Sequence, residues 1–185
     1  FNFFSRYLTQ TQYTTESNYD FSERQTGSIF WERMYHVLYN FKQAKEIVLS
    51  NESLSSDEKD SRTAQITILE VYTWQILVDT FGNIPYSEAL DPEKILLPKY
   101  DDAKEVYNKI IEKLEIALDL IDNGNGFSES DLIYKGDLSL WKKLGNSLKL
   151  KIGIRLADVD ITTSKKLCEE AYNSGVFTIN SDNMK

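Results

Sequence analysis

Residues 64–86 read AQITILEVYTWQILVDTFGNIPY, from Ala64 to Tyr86, and this stretch decides the fold. Ile66, Ile68, Leu69, Val71, Tyr72, Trp74, Ile76, Leu77, Val78 and Phe81 leave only a narrow polar strip on a helix. A helix that is apolar on nearly every side belongs among neighbours rather than at a surface. The run Phe81-Gly82-Asn83-Ile84-Pro85-Tyr86 then predicts its end. Glycine takes the left-handed backbone that closes a helix, and a proline three residues on cannot continue one. The stretch is therefore a buried spine, and the other helices are its partners.

Before the spine, Trp31, Met34, Tyr35, Leu38, Phe41, Lys45 and Val48 step by three or four residues. That spacing predicts a first helix from an N-cap at Ser28 to about Ser50. Asn51 to Ser56 is a polar break, and Asp57 is expected to open the spine helix, with Glu58 and Asp60 in its first turn. After the spine, Pro85, Pro92 and Pro98 stiffen a loop running to Tyr100. Asp101 or Asp102 caps a third helix whose Ala103, Val106, Tyr107, Ile110, Leu114, Ala117, Leu118 and Ile121 form the clearest apolar stripe of the chain. Gly124 and Gly126 are expected to end it as two left-handed positions. A fourth helix, capped by Asp137 or Ser139, extends to about Asp158, and a fifth runs from Thr162 or Thr163 to Asn173, with Gly175 past its end. Val176 to Ile179 reads as a short extended piece. Helices in succession without a strand pattern predict an all-α fold of stacked helical hairpins. Residues 1–27 read as an aromatic and polar strap, with a helical turn near Phe3 to Leu8, and residues 28–185 as one helical platform.

The chain has 185 residues, 29 acidic against 21 basic, and a net charge of -8, which disfavours a nucleic-acid partner because phosphate binding needs a clustered basic face. Its one cysteine, Cys168, cannot form an internal disulfide and reads as a small buried hydrophobe. No run of about 18 uncharged apolar residues predicts a membrane span. One histidine, His36, rules out any site that needs two, so neither a histidine metal cluster nor a cofactor is expected. No glycine-rich phosphate loop is present, no pair among the 29 acids stands out for glycoside hydrolysis, and the chain reads as a non-enzyme.

Trp31-x-x-Met34-Tyr35-x-x-Leu38-x-Asn40 resembles the first repeat helix of the SusD/RagB outer-membrane nutrient-binding proteins. Phe81-Gly82-Asn83-Ile84-Pro85-Tyr86, after Leu77-Val78-Asp79, resembles that family's Gly-Asp-x-Pro-Tyr signature with Asn83 in place of the acid. Tyr100-Asp101 with Val106-Tyr107 through Leu114 to Ala117, and Trp141 through Leu150 with Arg155, resemble the helices that follow. The resemblance covers about Trp31 to Asn173. It implies a tetratricopeptide-like helical platform, of which this chain holds most, without the lipidated start and the C-terminal half. It further implies a surface-exposed outer-membrane lipoprotein that binds a glycan or other oligomeric nutrient above a TonB-dependent, SusC-like barrel transporter.

Tyr13, Asn18 and Tyr19 lie in Gln12 to Asp20, where rings for a sugar's C–H face alternate with amides, hydroxyls and acids for its hydroxyls. The alternative reading of the same stretch, and the plainer one, is a strap packed over the first hairpin. Trp31 and Trp141 sit on apolar stripes and read as core. Arg155, a charge in an apolar helix, is expected either to pair with Asp79 or Glu70 of the spine or to reach solvent.

Overall fold

The computed structural model describes residues 2–3, 5–20 and 26–184. The rings expected at Phe1, Phe4 and Phe21 lie outside the described residues. Among the described residues five helices carry the fold: α1 Thr26–Ser50, α2 Ser56–Phe81, α3 Ala103–Leu120, α4 Leu138–Arg155 and α5 Ile161–Ser174, followed by a 3-10 turn at Asn180–Asp182. Among the described residues there is no strand, and one isolated bridge joins Ile84 to Asp101. The chain divides into two compact units, Phe1–Val37 and Leu38–Lys185.

In the larger unit, side-chain contacts fix the helix directions. Ser61 at the start of α2 meets Leu120 and Gly124 at the end of α3, while Asp79 at the end of α2 meets Tyr107 at the start of α3. The two helices are antiparallel. Lys142 pairs with Asp122 and Lys149 with Glu115, so α4 runs antiparallel to α3. Asn146 donates to Ser174 and Gly175, and Lys149 pairs with Glu170, so α5 runs antiparallel to α4. These are stacked tetratricopeptide-like helical hairpins.

The spine is buried as its composition requires. Ile68, Val71, Trp74 and Leu77 are fully covered, as are Ile110, Leu114 and Ile152 of the neighbouring helices. Tyr72 differs from expectation and reaches the surface, where Lys151 lies over its ring at 5.2 Å. The polar strip is buried too: Ser61, Gln65, Glu70, Thr73 and Gln75 are all covered.

Several helix ends differ from the sequence expectation. Helix α1 begins at Thr26, which leaves Ser28 inside it rather than capping it. Helix α2 is opened by Ser55, not Asp57. Ser55 Oγ accepts from Glu58 N, and the Glu58 carboxylate accepts from Ser55 N, so the two ends satisfy each other. Of the paired candidates, Asp102 caps α3 and Asp137 caps α4, while α5 is capped by Asp160, which accepts from Thr163 N at 3.0 Å. Helix α4 stops at Arg155, three residues earlier than expected.

The glycines divide by what they do. Gly82 has φ +75° and its N–H closes α2 on Val78 O, as its position predicted. Gly124 and Gly126 are not left-handed. A Cβ on Gly124 would stand 2.5 Å from the carbonyl carbon of Asp57, and one on Gly126 would collide with Gln65 and Leu138. They let the loop after α3 lie against the start of α2. Cys168 is half-buried rather than buried, and the Cβ that Gly153 lacks would fall 2.8 Å from its sulfur.

Candidate functional site

The polar groups of the larger unit form three structural clusters. In the first, Glu70 is 5% exposed and receives Lys45 Nζ, Lys113 Nζ at 2.9 Å and Trp74 Nε1 at 3.3 Å. Burial pushes its carboxyl up, but the charges of Lys113 and Lys45 outweigh that and hold it below the ordinary glutamate value. Lys113 also lies 5.1 Å over the Tyr86 ring, whose edge meets Trp74 at 4.8 Å.

The second cluster centres on Asp131. Its two oxygens accept from the backbone N–H of Ile133, Tyr134 and Gly136 and from Trp141 Nε1 at 2.7 Å. Burial opposes the charge, yet those four donors leave the carboxyl below its usual range. Tyr134 stands edge-on to Trp141 at 5.6 Å and donates its hydroxyl to Asp182 O, and burial pushes that phenol up to about 12. Trp141 is therefore core, as its stripe predicted.

The third cluster closes the spine. Asp79 accepts from Gln75 Nε2 at 3.3 Å and from the Tyr107 hydroxyl, and Arg155 Nη2 lies 3.2 Å from its Oδ2. The Arg155 side chain is 58% exposed, so this pair sits at the edge of the unit. Burial, then the bond to Asp79, pushes the Tyr107 phenol well up. Next to it, Asp101 accepts from Tyr86 N and Ser87 N, and Asn83 Oδ1 accepts from Ala103 N at 3.0 Å. An oxygen acceptor is all this corner needs, and Asn83 supplies one.

Between α3, α4 and α5 lies a groove of about 500 Å³ lined by Glu115, Asp119, Lys142, Asn146, Lys149 and Glu170. Lys149 bridges Glu115 and Glu170, and Lys166 lies 3.9 Å from both, so two lysines balance the two acids. Among the described residues no group of His, Cys, Asp and Glu could hold a metal ion, and no helix is long and apolar enough to cross a membrane.

The smaller unit holds the candidate ligand residues in one turn. Tyr13 is 77% and Tyr19 48% exposed, and both have left-handed backbone, with φ of +55° and +57°. Asn18 donates from Nδ2 to Thr14 Oγ1 at 3.0 Å, and Arg6 stacks 5.3 Å over the Tyr19 ring. The backbone between them is wound by Asn18 N to Thr14 O and Asp20 N to Thr15 O. Gln10 ties both ends of the turn together through Ser17 and Glu16. Sequence reading missed Lys113, whose partner Glu70 is 43 residues away, Asp131, which gathers backbone N–H groups that leave no residue signature, and Gln10, which closes an irregular turn that has no periodicity to read.

No curated protein compared with the chain matches it. Solved structures do. A chitin-binding protein is 31% identical with a TM-score of 0.72, over 85% of this chain and 33% of its own. A chitin-binding SusD homologue from Flavobacterium johnsoniae is 27% identical with a TM-score of 0.69, over 83% and 32%. A SusD homologue from Bacteroides uniformis is 29% identical with a TM-score of 0.67, over 80% and 30%. The chain thus spans about a third of the length of these structures. A family model described as starch-binding and associating with the outer membrane matches residues 1–185, and the chain belongs to this SusD-like family.

Proposed function

We propose that this chain serves glycan capture at the bacterial outer-membrane surface, as the helical part of a non-catalytic lipoprotein that delivers its ligand to a TonB-dependent, SusC-like transporter. Residues 1–27 act as the strap that carries the ligand-binding turn, and residues 28–185 as the platform. Tyr13 and Tyr19 stack on the sugar's C–H faces and Asn18 bonds its hydroxyls. The observation that carries this reading is the turn itself: two exposed tyrosines and an exposed amide within seven residues of ordered backbone. Left-handed backbone at a bulky residue costs about 1–3 kcal/mol and gathers at binding sites. The family's description as starch-binding and that of two relatives as chitin-binding support a carbohydrate ligand. Calorimetry of the full protein against chitohexaose and maltoheptaose tests it. Heat is expected with at least one, and Tyr13→Ala and Tyr19→Ala are expected to weaken it. An unchanged titration in both variants would overturn the assignment.

A second reading is that the helical unit docks to the transporter and holds no ligand itself. It is favoured by Leu96 and Leu97, 85% and 91% exposed on the loop between α2 and α3. That loop is pinned at its base by Lys42 Nζ to Leu90 O and by Lys99 N to Glu88. Exposed apolar residues on a rigid base mark interaction sites. Loss of transporter co-purification in Leu96→Asp/Leu97→Asp, with glycan binding kept, is the outcome this reading expects.

A further inference from the structure

Resting on that glycan-site reading, we propose that Gln10 is a positioning residue that sets the affinity of the turn by holding Tyr13 in its binding geometry. The side chain of Gln10 spans the turn. Its Oε1 accepts from Ser17 N at 3.1 Å and from Ser17 Oγ at 3.0 Å, and its Nε2 donates to Glu16 Oε2 at 2.8 Å. Its own backbone N–H donates to Ser17 Oγ at 3.4 Å. These four bonds close a loop over residues 10–17, with Tyr13 inside it. An amide suits this place because it accepts from one partner and donates to the other, which neither a carboxylate nor an ammonium can do.

The clip adds to what places Tyr13. Its ring is largely exposed, so burial contributes little to its placement, and its positive φ is a conformation that a tyrosine leaves when nothing holds it. Ordering a loop at the moment of binding subtracts from affinity, and a loop already in its bound form avoids that loss. The clip supplies the ordering from inside the turn. Thr15, the one covered residue of the turn, adds a bond from its hydroxyl to Tyr13 O at 3.5 Å.

The test compares Gln10→Ala, Gln10→Glu, the reciprocal Gln10→Glu/Glu16→Gln and Tyr13→Ala in the full protein. Calorimetry uses chitohexaose and maltoheptaose, and chymotryptic cleavage after Tyr13 reports the turn without any ligand. Gln10→Ala and Gln10→Glu are each expected to weaken binding about tenfold and to speed cleavage after Tyr13, with the global unfolding midpoint unchanged. In Gln10→Glu two carboxylates face each other. The reciprocal pair restores one donor and one acceptor, so it is expected to recover both affinity and resistance to cleavage. Wild-type affinity and wild-type cleavage in Gln10→Ala, beside a weakened Tyr13→Ala, would overturn the clip and leave the glycan site standing. Wild-type affinity in Tyr13→Ala, or no binding of either sugar by the wild type, would overturn the site and the clip with it.

Discussion

Trp141 and Tyr13 are both aromatic residues beside polar partners, and they end in opposite places. Trp141 is covered, its N–H held by an acid that also gathers three backbone N–H groups. Tyr13 stands out from a turn tied by an amide of its own segment. The difference lies in what the polar partner satisfies. Asp131 serves N–H groups of the interior, and Glu70 serves the buried Trp74 N–H together with two partly exposed lysines, so both acids hold the larger unit together. Gln10 and Ser17 organise backbone around rings that stay in water. The first kind of polar residue is paid for in stability if removed, the second in recognition.

That contrast can be broken by mutation, and the largest effect is expected at Asp131. Asp131→Ala leaves four N–H donors without their acceptor, and urea unfolding should register a loss of about 3–5 kcal/mol. Glu70→Ala should follow at about 1–3 kcal/mol, reduced because Lys45 and Lys113 keep partial access to solvent. Both carboxyls have folded pKa values below their unfolded ones. Their stabilisation is therefore fully present above about pH 4 and is lost as pH falls through the lower folded values. An acid-unfolding series should show the wild type losing stability in that window, and Glu70→Gln should lose less. If Glu70→Gln and the wild type share one acid profile, the interior acid has no such role.

Gly124→Ala comes next, at about 1–3 kcal/mol, because the added Cβ falls against the backbone of Asp57 and has nowhere to go. Gly82→Ala sharpens the point from the other side, since open space surrounds its Cβ and the cost, about 1 kcal/mol, comes from φ alone. Tyr13→Ala is the smallest on this scale. It should change unfolding by less than about 0.5 kcal/mol while weakening sugar binding about tenfold or more. A Tyr13→Ala protein as destabilised as Asp131→Ala would erase the distinction between the two regions.

The sequence by itself determined the helices and the spine. Apolar residues at three- and four-residue steps and a glycine followed by a proline act within one segment, so Ile68, Trp74, Gly82 and the α3 stripe were legible without neighbours. Caps were legible only to within a residue or two, because Ser55, Asp57, Asp102 and Asp160 differ less in type than in backbone position. What only the tertiary structure decided was the use of polar residues and of glycines between segments. The sequence showed a narrow polar strip on α2 but not its partners: Gln65 accepts from Phe127 N, Ser61 from Gly124 N, and Glu70 holds lysines from two other helices. Gly124 looked like a helix stop and is a point of close approach instead. Arg155 had two possible partners in sequence, and the parallel course of α2 and α4 sets it beside Asp79. The physical reason is range. Hydrophobic periodicity is written along one helix, whereas a buried hydrogen bond needs a partner whose distance in the chain, from 25 to 63 residues for Glu70, Gln65 and Ser61, leaves no pattern to read.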